Sequence, residues 1–222
     1  MLMPLGFFGV GLFSYLVYAG LQYTTATNSL MLQAIMPIMT MVIPAVVFGE
    51  RLRPLLALGA GLSFAGVVWI VTQGHPLALQ WGALNRGDLL AVTAVFLYSA
   101  YATFLRKAPA VHHLSLLATL FAIGAASLAI PYFAMLASEG LALPSVEVVA
   151  TVLYVGIFPS LAAYGLFNRS VVLIGSVRAG VYMNLPTVFG VGLAIPLLGE
   201  NLYSYHFVGA IMIIAAIAIS RR

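Results

Sequence analysis

Gly49-Glu50-Arg51-Leu52, followed by Gly59-Ala60, and Gly199-Glu200-Asn201-Leu202, followed by Gly209-Ala210, decide the fold of this chain. The two phrases are 150 positions apart at every matched residue, and Ala65 and Ala215 hold the same register. Each phrase joins two long apolar segments. A turn of this kind suits a helix end, because glycine takes the backbone conformation that closes a helix C-terminus.

The rest of the composition says which solvent those segments meet. Of 222 residues, 63% are hydrophobic and 6% charged, and the mean hydropathy is +1.11. A soluble domain carries about 25% charged residues, so this chain could not cover its surface in water. Uniformly apolar stretches, without the alternation of a barrel strand, predict an all-α polytopic membrane helix bundle. Cysteine is absent, which removes disulfides and thiolate chemistry. About eight segments are long enough to span: Leu5 to Gln22, Ser29 to Phe48, Leu55 to Thr72, Asp88 to Leu105, Leu114 to Leu136, Val149 to Phe167, Ala179 to Leu198 and Tyr205 to Ile219.

Five of these segments lie between the two phrases. An odd number of crossings puts the phrases on opposite sides of the bilayer, which makes the repeat inverted in topology. Inverted repeats are characteristic of secondary transporters. The basic residues agree with this threading. Arg51, Arg53, Arg106, Lys107, Arg169, Arg178, Arg221 and Arg222 fall on one side and Arg86 on the other. The basic side is the expected cytoplasmic one, with both termini on it, in the cell (inner) membrane. The bases sit singly beside helices and read as topology signals, with no nucleic-acid footprint. The repeat divides the chain into three helices over 1–74, a linker over 75–87 and five helices over 88–222. The symmetry predicts two further helices ahead of Met1.

From these residues the chain resembles the EamA family of the drug/metabolite transporter superfamily. The resemblance rests on Pro37 through Phe48 leading into Gly49-Glu50-Arg51-Leu52 and Leu58-Gly59-Ala60. It rests equally on Asn184-Leu185-Pro186-Thr187 through Gly199-Glu200, and on Asp88-Leu89-Leu90 through Tyr98-Ser99-Ala100-Tyr101 with Arg106-Lys107. Three departures from the family pattern are read: its first two helices are not in the sequence, Pro186 comes one position earlier than Pro37 requires, and Asn201 replaces Arg51. The resemblance implies ten helices in two inverted five-helix repeats that move a small-molecule substrate across a lipid bilayer.

Within the spans, polar and aromatic residues are the binding candidates. Tyr98 and Tyr101 share a helix face. Gly180, Asn184 and Thr187 follow helical spacing, as do Ser29, Gln33, Pro37, Thr40 and Pro44, and Tyr164 lies on a further span. A buried amide in lipid must find a partner, so these residues line either a wet cavity or a helix–helix contact. Pro37 and Pro186 break two helices at nearly matched places, a pattern that often marks a substrate site. Gly49, Glu50, Gly199 and Glu200 form the turn motif. The two glutamates are expected to cap the following helices, with gating or ion coupling as the alternative. Asp88 and Ser204 are expected helix N-caps. Ala57, Gly61 and Ala65 form a small-residue face suited to close packing.

No carboxylate falls mid-helix, where one would cost about 2.5–3.5 kcal/mol to insert. That speaks against a strongly charged midplane site. His112 and His113 are adjacent and share no helix face, and no metal site, cofactor site or catalytic residue is read. The chain is expected to be no enzyme but a permease or exporter of a small organic metabolite working by alternating access. The alternatives are a transport-incompetent fragment or half-partner, completed by a homodimer or by a partner supplying two helices, and an enzyme acting on lipid-linked substrates.

Overall fold

A computed structural model describes residues 1–24, 26–78, 85–109, 111–139, 144–189 and 203–220. Among these residues every regular element is helical. The elements are α1 (Leu2–Leu21), α2 (Ala26–Gln33), α3 (Met36–Phe48), α4 (Pro54–Val71), α5 (Arg86–Leu105), α6 (His113–Glu139), α7 (Val146–Ile174), α8 (Ser176–Tyr182) and α9 (Ser204–Ser220). Six described helices reach spanning length, with α2 and α3 forming one of them from Met31, and α9 is slightly shorter. The expected span from Ala179 to Leu198 is described only as far as residue 189. The second phrase, with Gly199, Glu200 and Asn201, lies outside the described residues.

The most extensive packing among the described residues joins α4 to α9. A Cβ built on Gly66 would sit 2.9 Å from the Gly209 carbonyl oxygen, and one on Gly209 would sit 2.7 Å from that of Gly66. At the other end, Gly59 faces Ser220 and the Ala216 carbonyl, while Gly209 also faces Ile70. The helices are therefore antiparallel. The pattern also maps onto itself: a shift of 150 turns the contact of Gly59 with Ala216 and Ser220 into that of Gly209 with Gly66 and Ile70. Helices in lipid gain little from burying apolar surface, so backbone-to-backbone approach through small residues is what holds them together.

The packing face of α4 is thus Gly59, Ser63, Gly66 and Ile70, all buried. This corrects the small-residue face expected at Ala57, Gly61 and Ala65: a Cβ on Gly61 would meet nothing within 4 Å. Both stripes are small, and a helix apolar on every side carries no amphipathic contrast to choose between them.

Two more features recur in matched places. Helix α1 widens into a π-helical stretch at Phe7–Leu12, and α7 does so at Gly156–Ala163. Shifted by 150, the first stretch falls inside the second. The other feature is a helix break. Between α2 and α3, Ala34 N–H donates to Met31 C=O and Ile38 N–H to Ile35 C=O. Beyond α8, Met183 N–H donates to Gly180 C=O and Thr187 N–H to Asn184 C=O. These three-residue bonds, tighter than α-helical ones, are offset by 149, the spacing of Pro37 and Pro186. The proline has no N–H and its ring clashes with the preceding turn, so each break tracks its own proline.

Helix starts depart from expectation at two places. Asn85, with Asp88 three residues on, caps α5 in a reciprocal capping box: Asp88 N–H donates to Asn85 Oδ1 at 2.9 Å, and Asn85 N–H to Asp88 Oδ2 at 3.1 Å. Asp88 is therefore the box's carboxylate, not the cap, and it also accepts from Thr24 Oγ1 at 2.7 Å. Ser204 opens α9 as its first residue, and the N–H of Tyr203 before it donates to His206 Nδ1 at 3.2 Å.

Replacing Gly66 with leucine is expected to destabilise the protein by about 1–3 kcal/mol, the usual cost of overpacking, while Gly61→Leu is near neutral. Thermal unfolding of both variants in one detergent checks this; equal melting temperatures would contradict the glycine contact.

Candidate functional site

Helices α1, α5 and α7 meet in an aromatic cluster. Tyr98 and Tyr101 of α5 are each 2% exposed. The Tyr98 ring lies 5.5 Å from Tyr101, 5.6 Å from Tyr164, 5.3 Å from Phe167 and 4.6 Å from Phe13, centroid to centroid. The Tyr98–Tyr164 pair is edge-to-face, one of the arrangements that ring quadrupoles favour. Tyr98 and Tyr101, expected on one helix face, and Tyr164, expected only as a separate candidate, are in contact with one another.

Their polar ends are tethered differently. Tyr101 donates its hydroxyl to Asn168 Oδ1 at 2.7 Å, and Tyr164 donates to the Gly9 carbonyl at 3.1 Å. Gly9 lies in the π-helical stretch of α1, where the regular backbone ladder is interrupted. It also lets α1 approach closely, since a Cβ there would run into the Tyr101 ring. Asn168 Nδ2 and Ser99 Oγ are buried and have no hydrogen-bond partner among the described residues. Asn168 escaped the sequence reading, although it follows Tyr164 by one helical turn and shares its face.

Against this cluster rest Met36 and Met39 of α3, Ala179 of α8 and Met183 in the second break. The broken helices cross here. A Cβ on Gly180 would press on the Thr40 side chain and lie 3.4 Å from Pro37 Cα, and Pro37 itself is fully buried. On the far side of the crossing lies a second buried cluster built on the α4–α9 pair, with Ala34, Val181 and Ile213. Asn184 donates to Ser63 Oγ there at 2.8 Å, with both side chains buried. In the 149-residue register of the two breaks Asn184 falls on Ile35, so one half carries an amide where the other carries an apolar side chain. The expectation of a partner for Asn184 is met by Ser63, a residue the sequence reading did not single out.

The remaining candidates have local contacts. Gln33 Nε2 donates to Ser29 Oγ of its own helix at 3.3 Å. Thr187 is half-buried just past the second break. Gly49 takes the left-handed conformation, φ 66°, and ends α3 as expected. Glu50 does not cap α4, whose N-cap Arg53 has no side-chain cap bond. It pairs instead with Arg106 at the end of α5, because an arginine fork offers a carboxylate more than a free N–H can. Phe48 lies beneath the Arg106 guanidinium at 4.5 Å and the Lys107 ammonium at 4.0 Å. No group of three or more metal-ligating side chains forms among the described residues.

The geometry can now be set beside known proteins. The EamA-like transporter family matches residues 1–72 and 85–222, and the chain belongs to that family. It is 32% identical over 213 residues to an "Uncharacterized transporter" of Archaeoglobus fulgidus, covering 94% of this chain and 71% of that one. It is 23% identical to "Uncharacterized transporter YyaM" of Bacillus subtilis, covering 96% of this chain and 70% of that one. A solved structure titled "Crystal structure of protein" superposes with a TM-score of 0.74 at 19% identity, over 98% of this chain and 75% of that one, and shares the fold.

A double-mutant cycle on Asn184→Ala and Ser63→Ala is expected to give a coupling of about 0.6–1.7 kcal/mol, the range for interhelical hydrogen bonds in membranes. Unfolding in detergent measures it; additive effects would mean that the bond contributes nothing.

Proposed function

We propose that this multi-pass membrane protein is a secondary transporter of a small organic metabolite. Residues 1–74 and 88–222 act as inverted repeats joined by 75–87, and they rock about the crossing of the two broken helices. The observation that carries this reading is the matched interruption of those helices, at Pro37 and before Pro186, beside a buried aromatic cluster. A break in lipid is tolerated where protein or a cavity meets the freed backbone groups. Two breaks that cross offer a hinge and a binding surface in one place.

The chemistry of the surroundings favours an uncharged or zwitterionic metabolite of modest size. Tyrosine rings and methionines supply adaptable apolar walls, and Asn168 Nδ2 and Ser99 Oγ supply polar groups with no hydrogen-bond partner among the described residues. Asp88, the buried carboxylate of α5, is already engaged by Asn85 and Thr24. The basic end of the bundle, held by the Glu50–Arg106 pair, is read as the cytoplasmic side of the cell membrane, with both termini there.

A second reading is favoured by α7. No residue of α7 before Phe167 is buried, whereas Leu5, Gly9, Val10 and Leu16 of the matching α1 are buried under α5 and α6. In this reading the chain is one part of the transporting unit, and a homodimer or a partner supplying two helices covers α7.

Counterflow in proteoliposomes, run against a panel of amino acids, amines and nucleosides, tests the transport reading. At least one solute is expected to exchange, and Tyr98→Ala to slow that exchange tenfold or more without loss of folded protein. Absence of exchange for the whole panel by the chain alone, with exchange appearing when a partner is co-reconstituted, would select the second reading. The inverted threading has its own check. The chain has no cysteine, so Leu52→Cys and Leu202→Cys can be labelled singly in sealed vesicles. They are expected to react from opposite sides.

A further inference from the structure

Four arginines that look scattered in the sequence converge on one cavity. Arg51 and Arg53 come from the turn between α3 and α4, Arg106 from the end of α5, and Arg178 from α8. With Glu50 and Ser176 they line a space of about 300 Å³ at the basic end of the bundle. Glu50 is the one carboxylate in that lining, and it is taken by Arg106. Arg51, Arg53 and Arg178 have no ion-pair partner among the described residues. Four guanidinium groups against one carboxylate leave a formal excess of three positive charges around a small volume.

A second feature points the same way. Helix α4, 18 residues long, begins at Pro54 with no side-chain cap, and Arg53 and Leu56 of its first turn line the cavity. Pro54 has no N–H and Leu56 N–H donates to Arg53 C=O, so this end contributes chiefly the partial positive charge of the helix dipole. Arg51 and Arg53 are exposed and Arg106 and Arg178 partly buried, so the four surround an open hollow, whereas arginines that only set membrane orientation need do no more than lie on the correct side. Like charges gathered this way repel, and an anion among them relieves the repulsion. The arginine fork matches phosphate oxygens two at a time, and the volume accepts a phosphate group with the first carbons of an ester.

We propose that this cavity binds a phosphate group, carried either by an anionic phospholipid headgroup or by a free phosphate compound in the adjoining water. The site is separate from the broken-helix crossing and does not depend on the transport reading.

The test uses the full chain in phosphatidylcholine nanodiscs. Binding of inorganic phosphate is measured by calorimetry, and retention of phosphatidylglycerol over phosphatidylcholine by native mass spectrometry. Saturable binding is expected in at least one arm, and the arm that responds names the source. The double variant Arg53→Gln with Arg178→Gln is expected to weaken it at least tenfold, while Arg86→Gln, outside the cavity, leaves it unchanged. If the glutamine variant does not fold, Arg53→Lys with Arg178→Lys keeps the charge and loses the fork, and is expected to bind several-fold more weakly. No saturable binding in either arm, equal affinity in the cavity variants, or an equal loss in Arg86→Gln would overturn the site.

Discussion

The approach of Gly66 to Gly209 is the contact from which the rest of this bundle is built. In water, two apolar helices would be driven together by their surfaces. In lipid that force is nearly absent, and association depends on how closely atoms can pack. With no Cβ on either residue, the α4 and α9 backbones meet directly, and the same geometry recurs at Gly59 with Ala216. An antiparallel pair that repeats its own contacts under a fixed sequence shift defines a two-fold axis. The crossing of the broken helices lies between that pair and the aromatic cluster, so the axis organises the middle of the molecule.

Much of this arrangement was legible in the residues, for physical reasons that can be named. Spans are readable because a helix must hide its backbone from lipid and needs a minimum length to cross. The inverted repeat is readable because glycine turns are stereochemically demanding. That Asn184 is hydrogen-bonded is readable because a polar atom in lipid requires a partner. What stayed hidden is what those rules leave open. Ala57-Gly61-Ala65 and Gly59-Ser63-Gly66 are both small-residue stripes, and no polarity contrast says which faces a neighbour. Asp88 and Asn85 are both plausible caps within one turn of each other, and only the fold shows that they act together. Glu50 has a free helix end close by in sequence, yet its partner Arg106 comes from another helix. Convergence of arginines from three separate segments is likewise a property of three dimensions.

The two halves have diverged most where their symmetry mates make different contacts. Asn184 bonds Ser63 where the matched break carries Ile35, and the π-helical stretch of α1 supports a tyrosine hydroxyl while that of α7 contains Pro159. Polar groups are costly in this medium and apolar ones are not, so a duplicated bundle can shed a hydrogen bond from one copy only if apolar packing fills the gap. Ile35 carries no polar side-chain atom, so the copy without the bond leaves no side-chain donor unsatisfied there.

Burial of polar groups divides the molecule mechanically as well. The α4–α9 pair has backbone contacts at both ends, and nothing in it can slide without breaking close packing. The aromatic cluster is different. Its rings touch through tilted and edge contacts that are individually weak, the methionines beside it can re-pack, and two of its polar atoms have no hydrogen-bond partner among the described residues. A core that is satisfied everywhere resists rearrangement, whereas one holding unpaired polar atoms gains from any change that supplies a donor or acceptor. In the proposed transport reading, a guest able to hydrogen-bond Asn168 or Ser99 would stabilise an opened arrangement of the cluster while the glycine-locked pair stays rigid. Motion would then concentrate at the two helix breaks, where the backbone ladder is already interrupted.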